Sequence, residues 1–263
     1  MVGERLLPAP LKTEAVVLRS IRYGEADRIL HLYTPNRGRL GAIAKGVRRA
    51  RSRFGARLEP FFHVRMMLHQ GRGELLTVTG VDTIETHAGL RDHAHTLAAA
   101  AHACDAVGRM FETEEAHPEV FRLLVAELAL VSNDEGQAGL ANGLAFELKL
   151  LLAAGIVPQL GACAACGARD DLVAFSAAAG GVVCGSCEAA GFALDADAYR
   201  FLVCALGSPL AGAPTAPDRV LRQVERAIHE TAEHHAHVRL RSLVGGLGSG
   251  RRTLTGAGSS RPA

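Results

Sequence analysis

Four cysteines could do chemistry together. "CAAC" spans Cys163–Cys166 and "CGSC" spans Cys184–Cys187, with 17 residues between the two pairs. The pattern C-x2-C-x17-C-x2-C falls within the spacing of four-thiolate zinc sites. Each C-x2-C turn brings two thiolates to one point, and two facing turns close a tetrahedron of Zn–S bonds. Gly167 and Gly185 allow the tight turns. Redox disulfides are the alternative, but that chemistry needs one motif ahead of a helix, not two facing pairs. Four sulfur ligands leave no open coordination position. The expectation is one structural Zn2+ per chain, bound by Cys163, Cys166, Cys184 and Cys187. Cys104 and Cys204 stand alone on apolar helical patterns and read as inert core thiols.

A second constellation is electrostatic. "AKGVRRARSRFGAR" (Ala44–Arg57) holds six basic residues and no acid. From Arg28 to Leu58 there are nine, namely Arg28, Arg37, Arg39, Lys45, Arg48, Arg49, Arg51, Arg53 and Arg57, still with no Asp or Glu. The whole chain has 29 basic and 27 acidic residues, so the remainder is acidic. Like charges this close repel, and a polyanion is the simplest partner that relieves them. The plainer reading is a solvated Arg-rich loop, but solvated charged faces usually mix both signs. Phe54 sits among the arginines outside any strand pattern, so it is a candidate for stacking on a base. Phe61 and Phe62 read as barrel core, and Tyr23 and Tyr33 stay open.

The elements that must position these groups fall into two textures. Residues 11–85 read as β: Thr13–Ser20, Arg28–Thr34, Arg39–Gly46, Phe61–His69 and Glu74–Val81 are short β-branched or aromatic runs separated by "YGEAD", "TPNRG" and "QGRG". Five short strands suit a small barrel or sandwich, of which the five-stranded OB type is one member. The basic run lies between the third and fourth strands, on a long loop. From about Leu90 the pattern turns helical. Helices are expected over Gly89–Phe111, His117–Ser132, Gly139–Val157, Asp195–Leu206 and Pro217–Ala236. Val120, Leu123, Leu124 and Leu128 form one core stripe, and Val220, Leu221, Val224 and Ile228 another. The expected units are a barrel over 1–85 and a helical domain over 86–245 with the cysteine segment 160–192 inserted. Beyond them, 246–263 is expected to be a disordered Gly/Ser-rich tail.

Several functions lack their signatures. "HETAEHH" (His229–His235) is near the metalloprotease H-E-x-x-H, but the fourth position after His229 is Glu233, so it reads as a polar helix end. "GLGSG" (Gly246–Gly250) has no strand before it and no helix after it. There is no G-x-x-x-x-G-K-[ST] loop and no nucleophile–base pair, so no enzyme is indicated. No run of about 18 apolar residues appears, and the first residues lack the layout of a signal peptide. The expected setting is cytoplasmic and reducing, which favours thiols or metal ligands over disulfides.

The stretch "TEAVVLRSIRYGEADRILHLYTPNRGRLGAIAKGVRRARSRFGARLEPF" resembles the N-terminus of the RecO family of DNA repair and recombination mediators. The matching residues are Thr13, Ala15, Val17, Leu18, Tyr23, Gly24, Glu25, Asp27, Thr34, Gly38, Lys45, Gly46, Arg48, Ser52, Leu58 and Pro60. The paired cysteines after a helical bundle and "HHAHVRLRSL" (His234–Leu243) extend the likeness over about 11–245. The resemblance implies an α+β fold: an N-terminal OB-fold, a helical domain and an inserted zinc ribbon. It also implies binding of single- and double-stranded DNA, strand annealing, and cooperation with RecR in replacing single-strand binding protein by RecA. Arg37, Arg39, Lys45, Arg48, Arg49, Arg51, Arg53, Phe54 and Arg57 are the expected nucleic-acid contacts. An RNA-binding OB/zinc-ribbon protein of translation is the alternative, because such a loop would bind any polyanion. A hydrolase without a visible site is a third.

Overall fold

The computed structural model describes residues 10–49, 52, 54, 56–71 and 73–243, with the backbone alone at Ala190. The tail expected at 246–263, together with Arg51 and Arg53, lies outside these residues. Five strands, β1 (Leu11–Tyr23), β2 (Asp27–Thr34), β3 (Gly38–Ala44), β4 (His63–Gln70) and β5 (Leu76–Glu85), close into a barrel in the order β1-β2-β3-β5-β4. All pairs are antiparallel except β3 with β5. Period-two alternation drives the closure. Val17, Leu30, Leu32, Leu40, Val64, Met66, Leu68 and Val78 point inward and fill the barrel. β5 runs beyond the expected Val81 to Glu85, because β4 needs a partner along its whole length, ending with His63 opposite Glu85.

Val17 faces Leu32, and the next pair along β1 is Arg19 with His31. Leu18 is therefore an extra, bulged residue. Without it Arg19 would fall opposite Leu30 and point into the barrel.

Helices α1 (Ala94–Met110), α2 (Pro118–Asn133), α3 (Leu140–Ala153), α4 (Ala196–Gly207) and α5 (Asp218–Ala236) form the second half. Pro118 opens α2 at the first helical turn, where a missing N–H costs nothing. The expected helix from Gly89 instead breaks into a short 3-10 turn at Ala88–Arg91 and then α1. Thr96 at the break donates its hydroxyl to the carbonyls of Leu90 and His93. Both stripes read from sequence are buried, Leu123 only in part. Between α3 and α4 a three-stranded ribbon, β6 (Leu172–Ser176), β7 (Gly181–Cys184) and β8 (Phe192–Ala193), pairs in the order β7-β6-β8. No helix among the described residues is long and apolar enough to cross a membrane.

Barrel and helices share a core. Val16, Leu18, Tyr33 and Phe61 leave the barrel wall and pack among the helices. The Tyr33 and Phe111 rings meet edge-on at 6.4 Å. Phe61 is thus not barrel core: its φ of 73° turns the side chain out to the helices, while Phe62 packs half-buried against the barrel. At the start of β3, Gly38 has φ 56°, and a Cβ there would lie 2.2 Å from the Glu115 carbonyl. Only glycine lets the barrel approach the α1–α2 connection this closely.

The helix expected to end in polar histidines does more than that. His229 on α5 contacts Glu147 Oε2 at 3.2 Å, and His102 on α1 contacts Glu147 Oε1 at 2.8 Å. Glu147, on α3, is fully buried. Burial would raise its pKa, but the two histidines outweigh that and hold it below the ordinary range. This reassigns "HETAEHH" from a solvated end to a cross-link of three helices.

Candidate metal centre and nucleic-acid interface

The two cysteine turns are built by backbone hydrogen bonds. The Gly167 N–H donates to the Cys163 carbonyl at 2.8 Å, closing the first turn, and Gly167 takes φ 79°, which a side chain would strain. The second pair sits at the end of β7, where the Gly185 N–H donates to the Asp171 carbonyl at 3.0 Å. The Ala164 N–H then donates to the Val182 carbonyl on β7 at 2.8 Å, which brings the turns together. The four sulfur atoms all lie within 4.8 Å of one another, and Cys166 Sγ is 3.6 Å from Cys184 Sγ. Zn–S bonds of about 2.3 Å in a tetrahedron require S–S edges of about 3.8 Å, so the cluster could hold a metal ion. Backbone N–H groups, that of Cys184 foremost, lower the Cys163 thiol to about 6. The Cys187 thiol is pushed up to about 12, chiefly by hydrogen bonding with Cys166 and then Cys184. Four thiolates cannot coexist there without a cation to neutralise them. Among the described residues this is the one such cluster of metal-ligating side chains.

The ribbon's own core is small: Cys163, Ala174, Val183 and Cys184. Its other face, with Phe175 and Val182, packs into the helical core. The Tyr199 hydroxyl donates to the Leu160 carbonyl at 2.9 Å, and His235 Nε2 lies 2.9 Å from the Ala177 carbonyl. Cys104 is buried and burial raises its pKa, in keeping with an inert thiol. Cys204, expected in the core, is exposed instead: it lies on the outer side of α4.

The expected nucleic-acid contacts do not form one group. Gly46 N–H donates to Asp27 Oδ1 at 2.7 Å, and Arg48 N–H to the Ala26 carbonyl at 2.9 Å, so the basic loop begins by docking on the β1–β2 turn. Arg48 also donates from its guanidinium to the Glu25 carbonyl at 3.1 Å. Lys45, Arg48, Arg49 and Arg57 are exposed, and none forms an ion pair among the described residues. Arg37 and Arg39 differ. Arg37 meets Glu114 at 2.5 Å, and Arg39 donates to the Gly108 carbonyl at 3.0 Å with Glu112 at 3.7 Å. Their neutralising acids come from the α1–α2 connection, which the acid-free window from 28 to 58 could not reveal. Phe54 is 2% exposed and packs in the barrel core, so it offers no face for a base: it anchors the loop instead. Tyr33 is buried as well, which leaves Tyr23, 54% exposed at the tip of β1, as the accessible aromatic beside the loop.

Residues 9–87 match the family described as Recombination protein O N terminal, and residues 91–243 match Recombination protein O C terminal. The chain is similar to DNA repair protein RecO of Rubrobacter xylanophilus, 40% identical over 181 residues, 67% of this chain and 71% of that one. It is similar to DNA repair protein RecO of Anaeromyxobacter sp. strain Fw109-5 over a longer span: 34% identity over 239 residues, 88% of this chain and 93% of that one. A third relative, DNA repair protein RecO of Myxococcus xanthus, is 36% identical over 175 residues, 66% of this chain and 71% of that one.

Proposed function

Because this chain belongs to the RecO family, we propose that it is a DNA-binding recombination mediator. It binds and anneals single strands and, with RecR, helps RecA replace single-strand binding protein on gapped DNA. It does so by holding strands, not by turnover, and it works in the cytoplasm on the nucleoid. The observation that carries this reading is the exposed set Lys45, Arg48, Arg49 and Arg57, without carboxylate partners among the described residues, on a loop docked to an OB-like barrel. Arginine forks suit phosphate oxygens, and backbone contacts alone give binding without sequence preference. Arg51 and Arg53 extend the same run in sequence. Arg37 and Arg39 serve the barrel–helix contact first. Zinc at Cys163, Cys166, Cys184 and Cys187 is structural in this reading and closes the ribbon on itself.

Two measurements test it. Arg48→Ala combined with Arg49→Ala should weaken binding of a single-stranded DNA oligonucleotide and flatten its salt dependence by about 0.7 in log–log slope per lost phosphate contact. A double variant that titrates like its parent at several salt concentrations removes the loop from the site. Annealing of complementary DNA strands coated with single-strand binding protein, compared with RNA strands of the same sequence, separates a recombination mediator from a protein of translation. Equal or better action on RNA would overturn the assignment.

A further inference from the structure

A cleft of about 570 Å3 lies between the barrel wall and the helices. Arg19 and His31 reach it from β1 and β2, Arg39 from β3, Arg109 from α1, and Arg241 from the segment after α5. Against these four guanidiniums stand two carboxylates, Asp105 and Glu112. The neutralisation is incomplete. A single oxygen, Asp105 Oδ2, serves both Arg109 at 2.5 Å and Arg241 at 3.3 Å. Arg19 is exposed and has no ion pair among the described residues. His31 is driven toward its neutral form by burial and then by Arg39 and Arg19, as expected where positive potential is not compensated.

The β1 bulge acts in the same direction. It sends Leu18 into the helical core and turns Arg19 outward beside His31, where regular alternation would have buried Arg19 in the barrel. Bulges of this kind re-aim side chains at binding sites. Beyond it, Arg19, Ile21 and Tyr23 share one face of β1. Ile21 is 36% and Tyr23 54% exposed. Four strand residues span about 13 Å, so this face joins the cleft to the turn on which the basic loop docks.

We propose that the cleft is a phosphodiester-binding site, in which a single nucleic-acid strand is gripped by both halves of the chain. Arg19 and Arg241 close on its phosphates. Arg39 and Arg109, held by Gly108, Glu112 and Asp105, form the fixed floor. The strand continues along β1, with bases on Ile21 and Tyr23, to the loop arginines. This inference rests on the DNA-binding reading above and adds a second phosphate contact, made only when barrel and helices are together.

The experiment uses the full chain. Arg19→Ala combined with Arg241→Ala removes two exposed side chains and leaves the floor intact. Its affinity for a fluorescent thymidine oligonucleotide should fall, with a log–log salt slope smaller by about 1.4 for two lost phosphate contacts. The chain contains no tryptophan, so Tyr23→Trp in the otherwise unaltered protein gives a single reporter. The oligonucleotide should quench it, and the quench should shrink in the Arg19→Ala/Arg241→Ala background. If the double variant matches its parent in affinity and slope, the cleft is not a strand site, while DNA binding itself stands. Absence of quenching with an otherwise functional Tyr23→Trp protein overturns the path along β1, even if the double variant misfolds. Thymidine monophosphate quenching as well as the oligonucleotide would make this a free-phosphate site and overturn the strand reading. A parent that does not bind DNA at all sinks this inference and the function together.

Discussion

Glu127 is a carboxyl group in the interior of the helical bundle. Asn142 Nδ2 donates to its Oε1 at 2.8 Å, while Oε2 and Asn142 Oδ1 have no partner among the described residues. Burial pushes its pKa up to about 8, against the hydrogen bond from Asn142 that lowers it. A proton on Oε2 is the donor this pair lacks. The folded state therefore keeps a proton that the unfolded chain releases near pH 4.3. The stabilisation is complete below that pH and is lost as pH rises toward 8, by at most about 1.4 kcal/mol per pH unit. Glu127→Gln should remove this slope between pH 5 and 8, measured by urea unfolding. A signal was present in sequence: Leu124, Glu127, Leu128 and Val131 fall on one helical stripe, and all four are buried. Phe54 carried the opposite lesson. Its surroundings in sequence are cationic, yet a ring of that size between two strands of a closed barrel gains more from the core than from solvent.

At the scale of elements, the ribbon and the bundle depend on different cross-links. The ribbon's private core is four small residues, too little apolar surface to hold three short strands. Cys163→Ser with Cys166→Ser should therefore abolish metal retention, read by elemental analysis. Ribbon folding and metal binding are one equilibrium. The apparent melting temperature should fall by at least about 10 °C, since each kcal/mol is worth about 2–4 °C at this size. Unchanged stability in metal-free protein would mean that the ribbon is held by its helix contacts. In the bundle, Glu147→Ala leaves His102 and His229 without their shared acceptor, and a loss of about 3–5 kcal/mol is expected. The pair's pH window follows from its shifts. His229 is raised despite its burial, by Glu147, so its contribution is full below about pH 6.5 and lost as pH rises through its folded value. Glu147 is lowered, so its contribution holds above about pH 4.3 and is lost in acid.

For the whole molecule, the question is whether the barrel folds alone, as its closed interior suggests. The barrel has a complete core, but Val16, Leu18, Tyr33 and Phe61 belong to the other one. Burying four such side chains stabilises the junction by about 6–12 kcal/mol. We expect a fragment ending near His87 to fold and to bind DNA weakly, with these side chains uncovered, so that it associates as its concentration rises. Sedimentation at several concentrations checks this. A monodisperse fragment that binds and anneals like the full chain would show that the helices contribute nothing to either.

Local chemistry made much of this legible in the sequence alone. Five alternating runs specify strands because period two puts one face in and one face out. Helical stripes marked α2 and α5 for the same kind of reason, and the C-x2-C pairs announced their convergence because ligand spacing within each turn is local. The loop's charge excess was also local. What the sequence could not determine was which partner each long-range group would find. The acids of Arg37 and Arg39 stand about 75 residues away in the chain on the α1–α2 connection. The histidines of "HETAEHH" met a carboxylate on another helix. Arg19 faces a cleft because one bulged residue shifted the register of β1. Register, bulges and inter-element ion pairs are decided by how barrel and helices pack, since each is a small energy summed only once the surfaces touch.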